Sequence, residues 1–222
     1  MQYIPEFDRK EIEENHKRFS QRVLLYKKRG LDFLASRESI LAKVAPLENN
    51  ILEIGTGSGY TTLCLAKAGY KFISVDKDKE SLKIAALNLA YPVRNKVSNG
   101  TYENLLSRVN FYAMDGSSLA FADNPFRTAV AIGLFHHITD VKRLCSEIDR
   151  VLSRDGKIIL ADFNKNGMEI IDSVHKEEGN IHEDSGANKD YAYSYFHALG
   201  YDIKTYEDNC HWVLIGKKKI LQ

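Results

Sequence analysis

The stretch Ile51-Leu52-Glu53-Ile54-Gly55-Thr56-Gly57-Ser58-Gly59 constrains the fold more than any other part of the chain. A short β-compatible run feeds straight into glycines at 55, 57 and 59, which let the backbone turn sharply and let a ligand approach the amides closely. Helix-forming residues follow at once, from Thr61 to Ala68, and Gly69 closes them. A strand that turns through glycine into a helix opens a βα unit. In an open α/β sheet the crevice at such a turn is where a ligand is expected.

The unit then repeats. Tyr70 to Val75 is rich in β-formers, and Lys79 to Ala90 is helical with Leu82, Ala85, Ala86 and Leu89 on one face. Val109 to Ala113 and Thr128 to Ile132 read as strands. Between Asp140 and Leu152 the residues Val141, Leu144, Cys145, Ile148, Val151 and Leu152 trace an apolar helix face, with Thr139 as the expected N-cap. Asp155-Gly156 turns into Lys157 to Ala161, a nearly continuous apolar run of the kind a strand covered on both faces shows. Helices near Met168 to Lys176 and Asp190 to Leu199 precede two last strands, Tyr201 to Tyr206 and His211 to Ile215. Right-handed crossovers place helices on both faces of such a sheet, so the predicted fold is α/β, a Rossmann-like doubly wound sheet of seven strands, mostly parallel. The connection 91–107, with Pro92, Asn99 and Gly100, is an irregular excursion with a short helix at its end.

Residues 1–48 stand outside this repeat as an N-terminal helical lid or accessory segment, and 49–222 form the core domain. Ile12, Phe19, Val23 and Tyr26 recur at helical spacing between Glu6 and Arg29, Gly30 ends that helix, and a second runs from about Arg37 to Val44 before Pro46. The opening residues are too charged for a secretory signal and no apolar run approaches bilayer length, so a cytoplasmic protein without membrane contact is expected. Thirty-one basic against 30 acidic residues leave a net charge of +1, which favours a small or neutral partner over nucleic acid. The clusters Lys27-Lys28-Arg29 and Lys217-Lys218-Lys219 read as solvated surface. Cys64, Cys145 and Cys210 form neither a disulfide framework nor a metal motif, and each reads as a small buried apolar residue.

The glycine spacing selects among ligands. Dinucleotide sites favour G-x-G-x-x-G, whereas Tyr60 occupies the position of their third glycine and would crowd the helix against the strand. Glu53-Ile54-Gly55-Thr56-Gly57-Ser58-Gly59 resembles the E/D-x-G-x-G-x-G signature of the class I S-adenosylmethionine-dependent methyltransferases. The resemblance covers about Asn50 to Phe163, and more loosely the end of the chain, where it implies an antiparallel last strand. It implies S-adenosyl-L-methionine as cofactor, held by the loop residues Glu53, Gly55, Thr56, Gly57 and Gly59. It assigns Asp76, at the end of the second strand, to the ribose hydroxyls; a helix cap is that aspartate's alternative role, with Asp78 as rival cap. Lys77 departs from the apolar residue the family often carries there, although its stem can still cover the adenine ring. Asp115-Gly116 resembles the site for the adenine amine, a plain Asp-Gly turn being the alternative. The carbonyls of Gly133 and Leu134 would meet the cofactor's ammonium group. His136 and His137 resemble the histidine pair of many small-molecule members, and one of them is the candidate general base; the alternative is that they pack and order the loop.

His175 and His182 match no zinc spacing, and no metal is expected. Residues 1–48 and about Phe163 to Tyr195 are the candidate lid and acceptor pocket, with Tyr26, Tyr191, Tyr193 and Tyr195 as its walls or as ordinary core packing. The function read from the sequence is methyl transfer to a small-molecule acceptor. An NAD(P)-binding oxidoreductase and a non-catalytic S-adenosylmethionine-binding protein are the alternatives.

Overall fold

The segment Ile51–Ile54 is buried at every position, as its apolar run requires, and becomes a central strand of the sheet. The computed structural model describes residues 2–3, 5–91, 104–179 and 189–219; Pro92, Asn99, Gly100 and His182 lie outside them. The strands are β1 (Gln2–Tyr3), β2 (Ile51–Ile54), β3 (Phe72–Asp76), β4 (Val109–Ala113), β5 (Phe126–Ile132), β6 (Leu152–Phe163), β7 (Asp202–Glu207) and β8 (His211–Lys217). The helices are α1 (Arg9–Lys28), α2 (Phe33–Ala42), α3 (Tyr60–Lys67), α4 (Lys79–Ala90), α5 (Val141–Val151), α6 (Lys165–Glu177) and α7 (Lys189–Ala198), with short 3₁₀ turns at Leu105–Arg108 and Phe135–His137.

The sheet runs β1-β4-β3-β2-β5-β6-β8-β7. Strands β2 to β6 are parallel to one another, and β8 lies antiparallel between β6 and β7. The doubly wound α/β architecture is therefore as expected, antiparallel last strand included, with an eighth strand in addition. That strand, β1, pairs antiparallel with β4 over two residues, too short a run to carry an alternating pattern. From β2 the chain moves outward to β3 and β4, then returns to the other side of β2 as β5. That reversal opens a crevice at the carboxyl ends of β2 and β5.

Each face of the sheet carries a core. Leu63, Leu82 and Leu89 pack with Ile51 and Phe72 on one side, and Leu144, Ile148, Phe135 and Trp212 pack with Leu52 and Leu160 on the other. Full burial of each such side chain contributes about 1.5–3 kcal/mol. On the first side α3 and α4 approach closely at Gly59, whose φ is 80° and whose added Cβ would lie 2.7 Å from Ala85 Cβ. The N-terminal helices are laid over these two: α1 packs on α4, where Asn15 Nδ2 donates to Asn88 Oδ1 at 2.7 Å, and α2 packs on α3.

Local signals explain most element ends. Asp8 and Glu11 form a capping box on α1, Asp32 caps α2, and Asp78 caps α4 by accepting from the amides of Glu80 and Ser81. Helix α5 is capped by Asp140, which accepts from Arg143 N–H at 2.9 Å, and not by Thr139 as expected. Asp155-Gly156 does not end an element: β6 begins at Leu152, and its register against β5 slips between Leu152 and Lys157, so the residues between form an irregularity inside one strand. Within the basic clusters, Lys27 pairs with Asp32, Arg29 with Glu177 and Lys218 with Asp149. All three cysteines are free and buried. Among the described residues no helix is long and apolar enough to cross a membrane.

Candidate active site

The loop between β2 and α3 holds Gly55, Gly57 and Gly59 at φ of 83°, 50° and 80°, a left-handed path that only glycine adopts without strain. Asp76 faces this loop from the end of β3. Its Oδ2 accepts from Gly57 N–H at 2.9 Å, and its Oδ1 from Asp78 N–H at 2.9 Å. Since Asp78 supplies the cap of α4, Asp76 is not consumed by that role. Across the crevice stand Gly133 and Leu134, after β5.

Two hollows open here. The larger, about 590 Å³, includes Gly55, Gly57, Asp76, Lys77, Asp115 and Gly116 in its wall. Gly116 lets its segment approach β2, since a Cβ there would lie 2.6 Å from Ile54 Cγ2, and the Asp115 carboxylate accepts from Ser117 N–H at 2.7 Å. The smaller, about 230 Å³, adds Thr56, Gly133 and the rings of Tyr26, Phe33, Tyr60 and Phe163. Gly55, Gly57, Asp76, Leu134, His136 and His137 line both.

Two expected cofactor residues stand apart. Glu53 lines neither hollow: its carboxylate is buried between β2, β3 and α3, accepting from Thr62 Oγ1 at 2.8 Å and Ser74 Oγ at 2.7 Å. Gly59 also lines neither, because its task is the contact with Ala85. Tyr60 differs from expectation in the same way. Its ring does not wedge between helix and strand but turns to the N-terminal helices, stacking on Phe33 at 4.5 Å and lying 5.0 Å from Phe19.

Burial pushes the Glu53 carboxyl up to about 7, against the two hydroxyl donors that favour its anion. Its folded value lies above the unfolded one, so its proton is favoured by the fold. The corresponding stability is fully present below the unfolded carboxylate range and is lost as pH rises from about 4.5 through about 7. Glu53→Gln is therefore expected to flatten the fall in stability between pH 5 and pH 8 by a few kcal/mol. Urea denaturation of both proteins at the two pH values measures this, and equal slopes would contradict it.

His136 and His137 follow Leu134 in a 3₁₀ turn and are not equivalent. His136 is buried, its amide donates to Asp162 Oδ2 at 2.9 Å, and its Nδ1 lies 2.8 Å from Asp162 Oδ1. With the proton on Nδ1 donated to that carboxylate, the basic lone pair sits on Nε2. His137 is exposed, its ring 3.8 Å from that of His136.

Asp162, Arg37 and His211 are the parts that the sequence did not announce. Arg37 of α2 is 3% exposed and donates from Nη1 to His211 Nε2 at 2.8 Å, while His211 Nδ1 lies 3.0 Å from Asp208 Oδ1. Burial lowers His211, and it draws Arg37 down to about 10 against the field of Asp162, leaving the guanidinium protonated at neutral pH. Burial would raise Asp208, but the His211 ring and the amides of Cys210 and His211 outweigh it and hold the carboxyl at about 2. A signal for Arg37 did exist: it falls on the apolar face traced by Phe33, Ile40, Leu41 and Val44. At the rim, Arg22 pairs with Glu178 at 2.7 Å, and His175 lines the same hollow.

A glycine loop at the switch point, a carboxylate at the next strand end and a second hollow beyond the fourth central strand are arranged on the fold shared by the Rossmann-like methyltransferases. Residues 52–160 match the family model described as a methyltransferase domain, and the chain shares its fold with S-adenosylmethionine-dependent methyltransferases. Among curated relatives, an uncharacterized methyltransferase of Bacillus subtilis, YcgJ, is 30% identical over 115 residues, covering 52% of this chain and 41% of that protein. The ubiquinone/menaquinone biosynthesis C-methyltransferase UbiE of Rickettsia prowazekii is 24% identical over 143 residues, covering 63% of this chain and 54% of that protein. The matched segments thus span about half the length of these relatives. The crystal structure of a SAM-dependent methyltransferase from Methanosarcina mazei has the same fold, with a TM-score of 0.61 at 23% identity, covering 82% of this chain and 98% of that one.

Proposed function

We propose that the chain transfers the methyl group of S-adenosyl-L-methionine to a small-molecule acceptor. The observation that carries this reading is the pair of adjoining hollows that share Gly55, Asp76, Leu134 and His136 in their walls, one with carboxylates and the other an aromatic-walled chamber. The residues fit an adenosyl group. A Cβ built on Gly57 would meet nothing within 4 Å, so the loop offers bare backbone to a ligand. Each Asp76 oxygen has a second lone pair, so it can keep its amide and still accept a ribose hydroxyl. Asp115 and Gly116 would meet the adenine and the Lys77 stem would cover it, while the Gly133 and Leu134 carbonyls would take the ammonium group.

When bound, the cofactor supplies an electrophilic methyl on a sulfonium, so the protein needs no nucleophile of its own. What its residues do is orient and dry the site. Tyr26, Phe33, Tyr60 and Phe163 wall the chamber against water, and residues 1–48, which supply the first two, act as its lid over the domain 49–222. His136, its ring held by Asp162, would take the acceptor's proton, and the exposed His137 would order the loop.

Titration calorimetry with S-adenosylmethionine and S-adenosylhomocysteine tests the binding half, with saturable heat expected for both; no heat with either would overturn the reading. Sustained release of S-adenosylhomocysteine over a panel of small acceptors distinguishes an enzyme from a protein that only binds the cofactor.

A further inference from the structure

Two buried polar atoms on the smaller hollow have no hydrogen-bond partner among the described residues: Nε of Arg37 and the phenol oxygen of Tyr60. Arg37 is the more demanding of the two, because a guanidinium buried this deeply needs an anion or a full set of acceptors. The carboxylates around it are engaged elsewhere. Asp162 accepts from the His136 amide, the His136 ring and the Phe163 amide, and Asp208 accepts from the His211 ring and the amides of Cys210 and His211. Among the described residues the one side chain hydrogen-bonded to Arg37 is His211, an imidazole accepting through Nε2.

The guanidinium is also fixed in place. It lies over Phe33 at 5.5 Å and over Phe163 at 6.0 Å, and Tyr60 stacks on that same Phe33 at 4.5 Å. Its Nη2 reaches across the hollow toward the end of β5, where a Cβ on Gly133 would lie 3.1 Å away. A planar cation that lacks a carboxylate, faces a cavity and has a hydroxyl donor on the adjoining ring suits one ligand chemistry. We propose that Arg37, with Tyr60 beside it, is the receptor for a carboxylate in the smaller hollow.

This rests on the methyltransferase reading, which supplies two sources for that carboxylate. The first is the cofactor's own, which shares a carbon atom with the ammonium group assigned to the Gly133 carbonyl and so arrives next to Nη2. The second is a carboxylate on the acceptor. Both need the same receptor, and a pair of probes separates them: S-adenosylhomocysteine carries the amino-acid carboxylate, and 5′-methylthioadenosine has the same nucleoside and thioether without it.

Calorimetry with both probes is run on the parent chain and on Arg37→Met, Arg37→Lys and Tyr60→Phe, with circular dichroism confirming that each is folded. If the cofactor is the source, Arg37→Met weakens S-adenosylhomocysteine by about 30-fold and methylthioadenosine by less than about threefold, Arg37→Lys falls between, and Tyr60→Phe costs about threefold. If the acceptor is the source, both nucleosides bind Arg37→Met as they bind the parent. Benzoate added to the S-adenosylhomocysteine complex then binds the parent at least about tenfold more tightly than Arg37→Met, and uncharged benzamide shows no such difference. Should Arg37→Met fail to fold, Arg37→Lys and Tyr60→Phe make the same comparisons.

Parallel loss of both nucleosides, or no change in either together with benzoate binding indifferent to Arg37, overturns the proposal. A parent chain that binds neither nucleoside overturns the methyltransferase reading instead, and benzoate titrated into the protein alone then decides for or against Arg37 by the same tenfold criterion.

Discussion

Asp76→Ala is expected to weaken S-adenosylmethionine and S-adenosylhomocysteine alike by about 100-fold, with little change in the melting temperature. The carboxylate is the proposed acceptor for the ribose hydroxyls, and hydrogen bonds to a charged group are worth about 1.5–3 kcal/mol each. Losing two of them, with partial replacement by water, removes close to 3 kcal/mol, which is about two powers of ten in affinity. A second effect adds to this: Oδ2 also anchors the Gly57 amide, so the loop loses its tie to β3. Asp76→Asn keeps an oxygen for one partner and is expected to lose about tenfold. Calorimetry on the three proteins gives the ordering directly. Equal affinity in Asp76→Ala and parent would remove the ribose assignment.

The largest effect on stability is expected at Gly59. A side chain there must adopt φ near 80° and must also place its Cβ 2.7 Å from Ala85 Cβ and 2.9 Å from Ala85 Cα. The left-handed conformation costs a non-glycine residue about 1–2 kcal/mol, and overpacking costs about 1–3 kcal/mol more. Gly59→Ala is thus expected to lower stability by about 3–4 kcal/mol, a drop of roughly 10 °C in melting temperature for a chain of this size. Gly57→Ala makes the informative contrast. Its φ of 50° carries the conformational cost alone, since its Cβ meets nothing within 4 Å, but that Cβ would stand on the path proposed for the cofactor. Thermal melts and cofactor titrations on both variants should separate the two glycines, the first losing stability and the second losing affinity. A Gly59→Ala protein that melts with the parent would show that α4 yields more easily than the packing implies.

These two glycines also show how far the sequence could be read. The glycines and Asp76 were legible because the turn and the strand end are local: backbone conformation at a few consecutive residues dictates the residue types. The βα repeat was legible for the same reason, through periodicity within each segment. The separate duties of Gly57 and Gly59 were not, because the second is set by Ala85 on another helix. Glu53 was read as a cofactor residue, yet Thr62 and Ser74 turn it inward, and neither partner lies in its motif. Thr139 and Asp140 are both acceptable caps one residue apart, and only the backbone geometry decides between them. Arg37 escaped notice because a helical arginine is ordinarily solvated, and its burial depends on Phe163 and His211 from two strands far along the chain. Tyr26 could be offered as a wall of the acceptor pocket, with core packing as its alternative, but Phe33 could not be singled out, since the chamber exists only after α1 and α2 settle over α3 and α4.

Strand β8 has a consequence for the order in which this molecule takes shape. It is the last of the described strands in chain order, yet it lies inside the sheet, and His211 at its start pairs in register with Phe163. The bond from Arg37 to His211 joins residues 174 positions apart, whereas the Asp76 to Gly57 contact spans 19. Ends so distant meet late, because closing a long loop costs more entropy than closing a short one. On a ribosome the Gly57 loop and its Asp76 anchor would be complete while the residue that holds Arg37 was still being translated, so a nascent chain would hold the proposed donor-binding loop before the adjoining chamber had closed.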